Sequence, residues 1–157
     1  MQRDNVDDAL STLAFEFFYA FARFEFALKE NGYLKDRKSG AIALPGWNAF
    51  VNAFKKGYRP SREAVEILTA LPEQQVVGHG SQLTWRAVEL SHSKSDLESV
   101  VKLLKTIRNN LFHGGKNSAA GWDNAARTRL LLECGIAVLP QLAALDSTIE
   151  ADYLRRY

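Results

Sequence analysis

A chain of 157 residues fits one domain, and 46% hydrophobic with 24% charged residues is ordinary globular composition, which argues against a disordered or membrane-embedded class. The net charge is only +2, so any RNA or DNA contact has to be local rather than a property of a uniformly basic surface. Cys134 is the single cysteine; it excludes an internal disulfide and a Cys-rich zinc site, fits a reducing compartment, and is expected as a small buried hydrophobe on a helix.

The opening MQRDNVDDAL lacks the charged, apolar and small-residue order of a secretory signal. The aromatic run from Leu13 to Leu28 is interrupted by Glu16, Arg23 and Glu25, so no membrane span is expected and a cytoplasmic protein is. Asp7 or Asp8 caps a first helix that continues without Gly or Pro until Asn31-Gly32. Phe15, Phe17, Phe18, Tyr19, Phe21, Phe24 and Phe26 surround most of that helix, which predicts burial on several sides, in the bundle centre or in a dimer seam.

Lys35 to Gly40 reads as a solvated turn and Pro45-Gly46 as a break. Trp47 to Lys56 and Ser61 to Leu71 read as short helices, the second capped by Ser61. Gln74 to Val77 suits a short extended segment before Gly78-His79-Gly80. From Ser95-Asp96, the residues Leu97, Val100, Val101, Leu104, Ile107 and Leu111 form a helical stripe that ends at Gly114-Gly115. A last helix runs from Trp122 or Asp123 to Ala144 or beyond, with Pro140 expected to kink or interrupt it. Four to five helices without an internal repeat predict an all-α, single-domain bundle with an irregular middle.

The densest chemistry lies in Arg108-Asn109-Asn110-Leu111-Phe112-His113-Gly114-Gly115-Lys116. A guanidinium, two amides, an imidazole, a flexible diglycine and an ammonium are the inventory for handling a phosphodiester without metal. With Leu97 at 0° on a helical wheel, the apolar residues fall between about 280° and 40° and Arg108 lies near 20°, inside the stripe. A guanidinium there is expensive unless compensated, so Arg108 is expected to meet a carboxylate or line a cavity. Glu25, set among Ala14, Phe18, Phe21 and Leu28, is the matching anomaly, and a Glu25–Arg108 ion pair across two packed helices is the economical expectation.

Asn109 and His113 share a helix face, whereas His113 lies about 140° round from Arg108. Either the diglycine end unwinds and swings His113 inward, or two protomers bring their Arg and His sets together across a two-fold axis. An imidazole titrating near neutrality can take a proton from a ribose 2′-OH or give one to a leaving 5′-oxygen. Arg108 can stabilise charge on the phosphoryl oxygens, Asn109 can orient phosphate or imidazole, and Asn110 is a supporting amide. The plain alternative is a helix C-terminus whose His113 faces the last carbonyls and whose diglycine stops the helix.

Arg108, four residues and His113, with Asn109 directly after the Arg at the end of a helix, resembles the signature of the HEPN superfamily of small α-helical domains. The extended RNNLFHGGK form is similar to that of standalone bacterial and plasmid-borne HEPN proteins, as is the first-helix stretch Phe21 to Lys29, while Tyr33 to Lys94 matches only loosely. The resemblance implies one HEPN-like domain over residues 1–157, working as a homodimer. It also implies metal-independent and cofactor-free endoribonuclease activity leaving a 2′,3′-cyclic phosphate and a 5′-hydroxyl. Arg108 and His113 match the catalytic pair and Asn109 the accessory polar position. Roles in the superfamily include toxins, phage defence and RNA processing, with an antitoxin or defence-system protein as partner. Some members are inactive modules binding RNA, a nucleotide or a partner protein. HEPN toxins neutralised by a nucleotidyltransferase carry an adenylyl-accepting Tyr two residues after the His; Gly115 stands there, so that route is not expected.

Elsewhere, His79 and His92 are too isolated for metal-ligand spacing and read as surface or capping residues. Lys116 offers a cation to RNA phosphate. Lys35, Arg37, Lys38, Lys55, Lys56, Arg59 and Arg62 read either as solvated charges or as RNA contacts, with Trp47 and Tyr58 as stacking surfaces. Trp85 and Trp122 are expected as core or interface anchors.

Overall fold

The first helix, α1, spans Asp8–Glu30 in the computed structural model, which describes residues 8–112 and 125–155. It ends as Asn31-Gly32 predicts: Gly32 adopts φ +74°, its amide donates to Lys29 O (3.0 Å), and the Tyr33 amide reaches back to Leu28 O (2.9 Å). This paired return is a Schellman cap, which needs the left-handed conformation a glycine adopts without steric cost. The helix is buried on one side rather than all round. Phe17, Phe21, Phe24, Ala27 and Leu28 lie in the core, while Phe15 and Tyr19 are 68% and 59% exposed.

After α1 the chain makes a loop closed at its neck by a Leu34–Pro45 bridge and by the Gly46 amide donating to Tyr33 O (2.7 Å). A Cβ on Gly46 would fall 2.6 Å from the Leu34 backbone, so this close approach requires glycine. Helix α2 follows at Trp47–Phe54 and helix α3 at Arg62–Ala70, where the Ser61 hydroxyl accepts from the Ala64 amide as a helix cap should.

The middle departs from an all-α bundle. The extended segment is strand β1, Glu73–Val77, and it pairs antiparallel with a second strand, β2, Leu83–Ala87, across a short 3₁₀ turn at His79–Ser81. Sequence reading found the first strand and not the second. Most of the hairpin is exposed, so β2 carries no buried apolar alternation to reveal it.

Helix α4, Asp96–Phe112, is the motif helix; Leu97, Val100, Val101, Leu103, Leu104 and Ile107 are its buried face. Helix α5, Ala125–Ala143, passes through Pro140, which sits in its last turn and so removes one backbone bond without ending the helix. A sixth helix, α6, Ser147–Leu154, exceeds the expected count; Asp146 caps it, its carboxylate accepting from the Thr148 and Ile149 amides. These hydrogen bonds, from the Thr148 hydroxyl and then the amides, hold the Asp146 carboxyl below its ordinary range.

Helix α1 is the hub, packing against α5, α6 and α4, while α3 packs on α5 and α4. Phe17 of α1 packs tightly on α5 at Gly135, where an added Cβ would stand 2.5 Å from Phe17 Cε2. Cys134 is buried as expected, and burial pushes its thiol up. An aromatic cluster joins α1 to α2 and α6: Phe24 meets Trp47 at 5.1 Å, Phe50 at 5.3 Å and Tyr153 at 6.4 Å. No helix among the described residues is long and apolar enough to cross a membrane.

Candidate functional site

Arg108 and Asn109 stand near the end of the described part of α4, four and three residues before Phe112. Arg108 is half-buried: its Nε is enclosed, while its Nη1 reaches the exposed Asn109. Its Nη1 donates to Asn109 Oδ1 (3.0 Å), and its Cζ lies 5.8 Å from the centre of the Phe21 ring on α1. The adjacent amide and the ring face together orient the guanidinium. Asn109 is exposed, so its amide stands where a ligand can reach it.

The direct Glu25–Arg108 pair is corrected by the structure. Glu25 Oε1 accepts from the indole Trp47 Nε1 (2.9 Å), while Arg108 meets α1 through Phe21. Trp47 in turn lies 5.2 Å from Phe21, so Arg108, Phe21, Trp47 and Glu25 form one contiguous run. The wheel gave the correct helix for each charge, but not the intervening indole from a third segment. Nothing in local spacing signals that Trp47 reaches back across 22 residues.

Asn110 has a different task from its neighbour. Its Nδ2 donates to Glu73 O (2.7 Å) and ties the end of α4 to the first residue of β1. Arg127, near the start of α5, donates to Ala70 O (2.7 Å) and Leu71 O (3.1 Å). It thereby caps α3 where Leu71 takes a left-handed conformation, φ +46°. Both contacts fix the α3–β1 joint beside the motif helix, and sequence reading had not assigned the role of Arg127.

His113, Gly114, Gly115, Lys116 and Trp122 lie outside the described residues. His79 and His92 are exposed, as expected of surface histidines. Trp85 is half-buried on β2. Trp47 and Tyr58 are only 5% and 8% exposed and are therefore core residues rather than base-stacking platforms. Burial and the nearby Asp96 push the Tyr58 phenol up to about 12. Among the described residues, no three His, Cys, Asp or Glu side chains are grouped to hold a metal ion.

The fold and these positions define a predominantly helical domain with a polar patch, Arg108-Asn109, at one helix end beside an aromatic wall from α1. No protein-family model, curated protein or solved structure matches the chain.

Proposed function

We propose that this chain is a HEPN-type, metal-independent endoribonuclease acting as a homodimer. The observation that carries the reading is Arg108 near the end of the described part of α4, oriented by Asn109 and by the Phe21 ring. That arrangement gives a fixed cation and an exposed amide at the end of a rigid element, which suits stabilisation of a charged phosphoryl group. Phe15 and Tyr19, exposed on α1, supply apolar area that a second protomer can cover.

In this mechanism the ribose 2′-OH attacks the adjacent phosphorus, and His113 takes the hydroxyl proton. The P–O bond to the 5′-oxygen breaks, that oxygen receives a proton from an imidazolium, and the products are a 2′,3′-cyclic phosphate and a 5′-hydroxyl. Arg108 stabilises the charge on the phosphoryl oxygens in between. Glu25, through Trp47 and Phe21, shapes the wall behind Arg108. The biological setting we propose is toxin or phage-defence activity in the cytoplasm, with a regulating partner protein.

The test is cleavage of mixed RNA by the purified protein in EDTA. Arg108→Ala and His113→Ala should each slow it by about 100-fold or more. Unchanged cleavage by both variants would overturn the assignment. RNA binding without cleavage by the unmodified protein would identify a non-catalytic binding module instead, and neither activity would leave a structural helical dimer.

A further inference from the structure

The chain's modest net charge conceals a strong asymmetry. Seven of its 20 Lys and Arg, but one of its 18 Asp and Glu, fall between Tyr33 and Arg62; this stretch is +6 while the remainder of the chain is −4. Ordinary solvation produces charges of both signs interspersed, whereas one sign gathered on one region generates a directed field.

The fold brings the two basic groups together. Tyr33, immediately before the closed 34–45 loop, packs its ring 6.0 Å from Phe50 and 6.1 Å from Phe54, the last residue of α2. The loop's Lys35, Arg37 and Lys38 therefore spring from the same place as Lys55 and Lys56, with Arg59 following. These six are exposed apart from half-buried Lys55, and none forms an ion pair within 4 Å with a described residue. The hydrogen bonds that steer them go to neutral acceptors: Arg37 to Gly32 O (2.9 Å), Lys55 to Asn52 Oδ1 (2.8 Å) and Arg59 to Tyr58 O (3.1 Å). Arg37, Lys55 and Arg59 are thus positioned without being neutralised.

We infer that the 35–44 loop and the α2–α3 joint form a binding surface for the phosphodiester backbone of single-stranded RNA. The choice of RNA as the polyanion rests on the proposed ribonuclease reading; the surface itself rests on charge and geometry. Cations spread over two segments suit a linear polyanion better than a compact phosphate. A lipid surface fits less well, because the aromatics of this stretch, Tyr33, Trp47, Phe50, Phe54 and Tyr58, are buried or half-buried, leaving Ile42 and Leu44 as its large exposed apolar side chains. The loop closes at Pro45-Gly46, directly before Trp47. Trp47 is separated from Arg108 by no more than the 5.2 Å and 5.8 Å steps through Phe21 laid end to end. The neck of the loop thus adjoins the residues that pack beside Arg108.

The experiment titrates the full-length protein into labelled, 2′-O-methyl single-stranded RNA, which lacks the nucleophile, over a series of salt concentrations. Two triple variants, K35A/R37A/K38A and K55A/K56A/R59A, change exposed side chains, and their helical circular dichroism should equal that of the unmodified protein. Each should weaken binding about tenfold or more at low salt and flatten the slope of log K against log salt by about 2, at about 0.7 per lost phosphate contact for single strands. Removing three cations elsewhere, R86A/K94A/K105A, should change affinity less than twofold. Absent RNA binding, or equal losses in the basic-face and control variants, overturns the inference. So does loss of binding to phosphatidylserine vesicles in the triple variants with RNA affinity unchanged. A parallel cleavage assay on unmodified RNA separates the two readings. Binding with the expected slopes but no cleavage removes the ribonuclease, whereas cleavage with unchanged binding in the triple variants removes the basic surface.

Discussion

Arg23 and Arg108 are both half-buried guanidiniums beside a phenylalanine ring, one at the α1–α6 junction and one at the end of α4. Arg23 donates to the carbonyls of Asp152, Tyr153 and Arg155, closing the end of α6, and lies 5.1 Å from the Phe26 ring. Main-chain acceptors from a distant segment make it a clasp between α1 and α6. Arg108 donates to a side-chain amide on its own helix and rests on a ring, contacts that set direction without joining main-chain segments. The same residue type is tied to distant main-chain carbonyls in one place and set against a side-chain amide and a ring in the other.

The strongest way to sharpen this contrast is Phe24→Ala at the clasp end, where a fully buried ring meets Trp47, Phe50 and Tyr153. It should lower unfolding free energy by about 3–5 kcal/mol in denaturant titration. Arg23→Met should cost about 1.5–3 kcal/mol, because α6 loses the donor that satisfies its last carbonyls. Asp146→Ala should cost about 1 kcal/mol through loss of the α6 cap. Because hydrogen bonding lowers the folded-state pKa of Asp146, its contribution is present above the ordinary aspartate range and lost as pH falls through the lowered value. The gap in stability between this variant and the unmodified protein should therefore narrow from pH 7 to pH 3. Arg108→Met should have the smallest effect on stability, about 1 kcal/mol or less, the size of a ring–cation contact. A loss equal to that of Arg23→Met would make Arg108 a second clasp.

Helices were legible where capping and apolar period agree. The Asn31-Gly32 stop, the Ser61 cap and the stripe from Leu97 to Ile107 all mark elements that the structure contains. Strand β2 was hidden because Leu83-Thr84-Trp85-Arg86-Ala87 is stabilised by pairing with β1 and buries little, so its pattern had no core to follow. The break before α6 was visible in Asp146-Ser147-Thr148, a capping sequence that the expectation of one long final helix obscured.

At the candidate site, the wheel identified Arg108 and Glu25 as charges on apolar flanks, which they are. It could not supply the answer to either, because Phe21 and Trp47 enter from α1 and α2 by tertiary packing. The same blindness made Trp47 and Tyr58 look available for stacking, whereas both are in the core. Asn109 and Asn110 show the finer limit: adjacent in sequence, one meets Arg108 and the other holds the hairpin.

We propose that the Arg108 end of α4 belongs to an RNA-cleaving site using the substrate's own 2′-OH. The most direct measurement is the chemistry of the RNA ends produced in EDTA by the unmodified protein, read by mass spectrometry. Cleavage by the 2′-OH should give 2′,3′-cyclic phosphates opposite 5′-hydroxyls, absent from reactions with Arg108→Ala. Products bearing 5′-phosphates, or the same cyclic ends at an unchanged rate from Arg108→Ala, would contradict it.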